Sequence, residues 1–181
     1  MKDSIILKEG KVLVYPTDTI WGIGCNALDV AAIEKVKTIK GRDNTKSLIL
    51  LVKDIDMLGN YVEEIPKVAL DLINTSESPV TVIYNNPKNL PIEHLSSNGK
   101  IGIRIPKNEY LQNLFEEFPY PIVSTSANFS GKPSPVNFAD IDKDLLLKVD
   151  YVSTFCRQEV NHSCASAIYL INEDNSLTKI R

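Results

Sequence analysis

Two spacings of apolar residues alternate along this chain, and the points where one gives way to the other outline its elements. Residues 11–15 (Lys-Val-Leu-Val-Tyr) read as a strand, which Pro16 ends because proline cannot donate to a sheet ladder. From Asp29 to Lys40 the spacing becomes helical, with Ile33, Val36 and Ile39 inward, Asp29 as N-cap and Gly41 as a left-handed C-cap. Residues 48–52 are continuously apolar, the pattern of a strand covered on both faces. Pro66 opens a predicted helix running to Asn74, and residues 79–84 are β-branched and strand-like. Residues 85–99 read as loop, and 100–105 as a strand that Pro106 stops. Asn108 caps a helix whose Leu111, Leu114, Phe115 and Phe118 fall at i, i+3, i+4 and i+7. Residues 121–123 make a short apolar strand, 139–148 a helix, and 166–171 pairs with 177–180 as a hairpin. Strands alternating with helices predict an α/β fold, a single domain over residues 1–181 with a mixed, largely covered sheet.

Composition narrows this picture. The chain has 181 residues and a net charge of −3, from 20 basic against 23 acidic side chains, which speaks against a uniformly basic surface coating nucleic acid. No apolar run approaches the roughly 18 residues a membrane span requires, and the apolar stretch near Met1 is too short for a signal peptide, so no membrane partner and a cytoplasmic location are expected. Cys25, Cys156 and Cys164 are odd in number and unpaired in pattern, consistent with reduced thiols. Cys156, His162 and Cys164 could share a metal, but no fourth ligand of the usual spacing accompanies them, and no metal site is predicted.

The candidate chemistry lies where strands end. Residues 124–131 read Ser-Thr-Ser-Ala-Asn-Phe-Ser-Gly, directly after an apolar strand, and Ser124, Ser126 and Asn128 would share one face of an extended segment. Such a face can wrap an anionic or zwitterionic ligand, and the same residues also suit an ordinary turn. Thr17, Asp18 and Thr19 follow the first strand. Lys40, Arg42 and Lys46 gather at the end of the first predicted helix, where cations are favoured by the helix dipole alone. Arg42 lies past Gly41, outside that helix, where its fork suits phosphate or carboxylate. Thr81 and Ser166 sit near strand starts, so they join the others only if the sheet is mixed. Gly22 and Gly24 lack the third glycine of a dinucleotide cradle and read as a tight turn. A serine hydrolase with Ser126 as nucleophile and His94 or His162 as base lacks the Gly-x-Ser-x-Gly elbow.

Five segments together resemble the YrdC family: residues 16–24 (Pro-Thr-Asp-Thr-Ile-Trp-Gly-Ile-Gly), Lys40-Gly41-Arg42, Pro79-Val80-Thr81, residues 102–106 (Gly-Ile-Arg-Ile-Pro), and residues 126–131 (Ser-Ala-Asn-Phe-Ser-Gly). They occur in order and cover the chain from about residue 9 to its end. The sequence departs from the usual pattern at Trp21, where tyrosine is common, at Ser47, where proline is common, and at Ser166-Ala167-Ile168, where Ser-Thr-Val is usual. The resemblance implies a twisted sheet with a concave basic cavity, in a short form without the further C-terminal domain of some members. It implies an enzyme that makes threonylcarbamoyl-AMP and pyrophosphate from ATP, L-threonine and bicarbonate, with Mg²⁺ carried on ATP. The product feeds modification of a tRNA adenosine, so tRNA and a downstream threonylcarbamoyl transferase complex are the implied further partners. Carried over by position, Arg42, Lys46, Thr81, Ser126, Asn128, Ser134 and Arg181 would meet ATP, and Thr19, Ser124, Ser166 and Arg104 would meet threonine. Lys40 and Arg42 would act as electrostatic catalysts, with no protein nucleophile. A non-catalytic RNA-binding module built on Lys40, Arg42, Lys46 and Arg104 is the alternative, and a carbamoyl-transfer role in a larger assembly a third.

Overall fold

The computed structural model describes residues 1–42, 46–158 and 165–181. In chain order its elements are α1 (Lys2–Lys8), β1 (Leu13–Tyr15), β2 (Gly22–Gly24), α2 (Val30–Lys40), β3 (Ile49–Leu51), α3 (Ile55–Gly59), α4 (Lys67–Thr75), β4 (Val80–Tyr84), α5 (Ile92–Leu95), β5 (Ile101–Arg104), α6 (Glu109–Glu117), β6 (Ile122–Ser126), a 3₁₀ turn (Phe138–Asp140), α7 (Lys143–Leu146), β7 (Tyr151–Val152), β8 (Ala167–Ile171) and β9 (Leu177–Lys179). The strands form one mixed sheet in the order β7-β1-β2-β6-β3-β5-β4-β8-β9. This is the predicted α/β fold, and the capping chemistry is as expected. Asp29 Oδ1 accepts from Ala32 N at 3.0 Å, Asn108 Oδ1 accepts from Leu111 N at 3.2 Å, and Gly41 closes α2 at φ 57°.

Side chains alternate across a strand, so each strand divides its residues between the two faces of the sheet. Val14, Ile23, Leu50, Val82, Ile103 and Val123 point to one face, which is covered by the core beneath α2 and α4. Leu13, Tyr15, Leu51 and Ile122 point to the other, where Leu7 of α1 and Leu111, Leu114 and Phe115 of α6 pack on them. Each fully buried Leu or Phe contributes about 1.5–3 kcal/mol, enough to seat both helices on that half of the face. The second half of that face carries Gly22, Ile49, Thr81, Gly102, Ser124 and Ser126. Among the described residues no helix covers it, and it forms the floor of a polar cavity.

Three expectations change. Gly22 and Gly24 are not a turn but β2, antiparallel to β1 and β6. Gly24 is required there by close approach: a Cβ would stand 1.7 Å from Val123 O. Residues 85–99 contain α5, a single turn too short to show periodicity, anchored by the buried Leu95. The helix expected over 139–148 is broken into the 3₁₀ turn and α7, because Asp142 caps a new start through Asp144 N at 2.9 Å. Helix α1 and strand β7 carry too few residues for the pattern to reveal them.

Candidate active site

Strand β6 does not stop before the hydroxyl run but continues through Ser126, so Ser124 and Ser126 share the open face as side chains of a strand. Ser124 pairs across the ladder with Ile49 and Ser126 with Gly22. Next to Ile49 lies Gly102 of β5, and a Cβ there would stand 3.3 Å from Thr81 Cγ2 and 3.4 Å from Ile49 Cγ1. Bare glycine floor between hydroxyl-bearing strands makes a cavity of about 200 Å³. Of the residues expected at a site, Thr19, Arg42, Thr81, Arg104, Ser124, Ser126, Ser134, Ser166 and Arg181 line it together.

At one wall, Thr17 Oγ1 donates to Ile20 O at 2.7 Å and accepts from Thr19 N at 3.1 Å, a local turn that presents Thr19 to β5. Arg104 Nη1 donates to Thr19 Oγ1 at 2.8 Å and stands 3.2 Å from Asp18 Oδ1. The guanidinium is 5% exposed, and its Nε has no hydrogen-bond partner among the described residues. Burial pulls its pKa below the usual arginine value and Asp18 opposes that, so the group keeps its charge. At the opposite wall Arg42 donates through Nε to Lys46 O at 3.1 Å, through Nη2 to Ser47 O at 2.6 Å and through Nη1 to Thr125 Oγ1 at 3.3 Å. The mixed sheet brings Thr81 and Ser166 together, their hydroxyls 2.8 Å apart, since β4 and β8 run parallel in register. Arg181 Nε and Nη2 close that end on Ser166 O, at 3.2 and 3.1 Å.

Three expected residues do not line the cavity. Lys40 is 2% exposed, and its ammonium donates to Ser126 O, to Asn128 O at 2.7 Å and to Asn128 Oδ1 at 3.1 Å. Its three hydrogen bonds go to the end of β6 and the loop after it, so it braces the binding wall from beneath and does not line the cavity where it was expected to act as an electrostatic catalyst. Asn128 leaves the strand face because the chain turns after Ser126, and its side chain accepts from Ser126 Oγ and donates to Lys132 O. Lys46 is exposed and contributes its carbonyl to Arg42. With Lys40 and Arg104 both turned inward, the four cations of the RNA alternative do not form a surface. Of the two bases named for a hydrolase, His94 Nδ1 is engaged with Glu34 Oε1 at 2.9 Å, and His162 lies outside the described residues, as does Cys164 of the suggested metal trio.

Thr17, Ser47, Ile49, Thr125 and Gly22 also line the cavity and were not among the residues expected to meet a ligand. Thr17 could have been, as the first hydroxyl after a strand. Thr125 could not, because strand alternation assigns it to the opposite face from Ser124. Trp21 is packed away at the back, its ring 5.1 Å from Phe138, and this contact helps hold the loop that carries Ser134.

The family model described as telomere recombination, Sua5/YciO/YrdC, matches residues 5–180. The chain belongs to the Sua5/YciO/YrdC family. A Methanocaldococcus jannaschii relative is 36% identical across 95% of this chain and 79% of its own length. The threonylcarbamoyl-AMP synthase of Pseudoalteromonas translucida is 29% identical, over 80% of this chain and 79% of that protein. The crystal structure of Pyrococcus abyssi Sua5 complexed with L-threonine superposes with a TM-score of 0.84 at 26% identity, covering 99% of this chain. This chain spans 52% of that Sua5 protein, about half its length. Among the described residues no helix is long and apolar enough to cross a membrane.

Proposed function

We propose that this Sua5/YciO/YrdC protein is a nucleotidyltransferase that joins ATP, L-threonine and bicarbonate into threonylcarbamoyl-AMP, releasing pyrophosphate. The observation that carries the reading is buried Arg104, whose Nε has no hydrogen-bond partner among the described residues, at a cavity that also holds Arg42, Arg181 and a ring of hydroxyls. A buried guanidinium donor calls for a carboxylate, and two further guanidiniums suit the charge of a triphosphate. The Pseudoalteromonas synthase and the threonine-bound Pyrococcus relative support the same substrates.

In this reading the threonine carboxylate meets Arg104, with Thr19, Ser124 and Ser166 around the rest of the amino acid. Arg42, Thr81, Ser126, Ser134 and Arg181 receive ATP, with Lys46 at the rim. The neutral threonine amine takes up the carbon of bicarbonate and water is lost. A carbamate oxygen then attacks the α-phosphorus, the bond from that phosphorus to the bridging oxygen breaks, and pyrophosphate departs. No side chain need act as nucleophile, since positioned cations and hydroxyl donors stabilise the charge that develops. Asp18, the carboxylate at this wall, is committed to Arg104, and among the described residues no acidic cluster could hold a metal ion. The residues therefore do not form a dedicated magnesium site, and a Mg²⁺ would enter on the phosphates of ATP. The labile product would pass to a transferase acting on tRNA.

Purified protein given ATP, threonine, bicarbonate and Mg²⁺ should release pyrophosphate only when threonine is present. Arg42→Ala should slow this by about 10- to 100-fold, the loss of one or two charge-assisted hydrogen bonds. Pyrophosphate release indifferent to threonine would refute the reading.

A further inference from the structure

Strand β3 reads Ile-Leu-Leu, and its three side chains end in different surroundings. Leu50 and Leu51 are fully buried, one in the core beneath α2 and α4 and the other under α1 and α6. Ile49 alone is half-buried, and it lines the substrate cavity. Its neighbours on that floor carry no apolar bulk: Ser124 lies opposite it on β6 and Gly102 on β5. A Cβ at Gly102 would stand 3.4 Å from Ile49 Cγ1, so the glycine leaves that flank of the isoleucine uncovered. Two other apolar side chains line the cavity. Ile20 belongs to the turn at the wall, its carbonyl held by Thr17 Oγ1 at 2.7 Å, and Ala165 is exposed. Among the described residues the floor is therefore hydroxyls and bare glycine, with one branched aliphatic group on its central strand.

An aliphatic side chain gives nothing to phosphates or bicarbonate, which call for donors and cations. What it can hold is an apolar part of a substrate, by removing that part from water. Threonine carries such a part in its β-methyl group, which serine lacks. Ser124 and Arg104, both assigned to the amino acid, stand on β6 and β5, the two strands that flank β3. An amino acid held by both lies across Ile49. We propose that Ile49 is the specificity-determining residue of this site: it covers the β-methyl of threonine and so selects threonine over serine. The inference rests on the reaction proposed above. One CH₂ in an apolar pocket discriminates by roughly 10- to 200-fold, and a contact covered mainly from one side belongs at the low end.

In pyrophosphate release by the whole chain, kcat/KM should be at least about 10-fold higher with threonine than with serine. Ile49→Ala should cut that ratio by at least about 5-fold, through a loss with threonine and little change with serine, and should leave KM for ATP as it is. Two β-branched variants preserve the strand: Ile49→Val should retain most of the preference, and Ile49→Thr, of the same size with a hydroxyl in place of one methyl, should fall between valine and alanine. Calorimetric titration with threonine and with serine should show the same change of ratio in Kd. A wild type without preference, a ratio unchanged in both Ile49→Ala and Ile49→Thr, or a loss confined to KM for ATP, as when the adenine ring lies there instead, would each overturn the role of Ile49 and leave the reaction standing. Wild-type protein that releases no pyrophosphate in response to threonine would remove the reaction, and the role of Ile49 with it.

Discussion

Lys40 shows how a charged residue can serve a binding site without facing it. Its three donors hold the carbonyl at the end of β6 and main-chain and side-chain oxygens of Asn128 in the loop that follows. Burial, with the nearby Arg42 charge adding to it, lowers its pKa from the usual 10.5 to about 7. The unfolded chain would keep this lysine protonated up to its ordinary value, so between those two pH values the folded state binds fewer protons than the unfolded one. Stability therefore rises with pH across that window on account of this group. Urea unfolding of wild type and Lys40→Met at pH 7 and pH 10 tests this: the wild type should gain on the variant as pH rises. A constant difference would show that the ammonium is not perturbed. Arg104 has the complementary arrangement, one donor committed to Thr19 and its Nε without a hydrogen bond among the described residues.

Among the elements, the strands β2, β3, β5 and β6 decide the cavity, because their alternation sends hydroxyls and glycines to one face and the core to the other. Gly102 is the floor position most sensitive to bulk. In Gly102→Val the branched side chain would project toward Thr81 and Ile49. The expected result is a fold retained by circular dichroism with threonine-dependent pyrophosphate release reduced at least about 10-fold, the loss expected when positioned substrates are displaced. Unchanged activity would remove this strand from the site. The helix caps at Asp29 and Asn108 and the α6 stripe were readable because each rests on local chemistry within one turn. Strand β2 was not, because Gly22-Ile23-Gly24 has almost no side chain to pattern, and its pairing with β6 depends on residues a hundred positions away.

For the whole molecule, the buried carboxylate of Asp3 ties the first helix to distant segments. Asp3 Oδ2 accepts from Tyr110 Oη and from Ser153 Oγ, each at 2.6 Å. Asp3→Ala would leave both buried hydroxyls without the acceptor of their protons, at about 1–3 kcal/mol apiece. A fall in melting temperature of roughly 5 °C or more is expected by calorimetry, and a fall of under a degree would mean that the network contributes nothing. The same long-range logic separates what the chain alone specifies from what folding adds. The sequence by itself determined the α/β class, most helix and strand positions, the motifs of the family and nine of the residues that meet in the cavity, because spacing, caps and motifs are local properties. Only the tertiary structure decided that Thr81 and Ser166 meet, that Lys40 turns beneath the wall, that Asn128 leaves the strand face, and that Ile49 stands between the strands of Ser124 and Arg104. Each of these depends on strand order, register or burial, which are set by contacts between segments far apart in the chain.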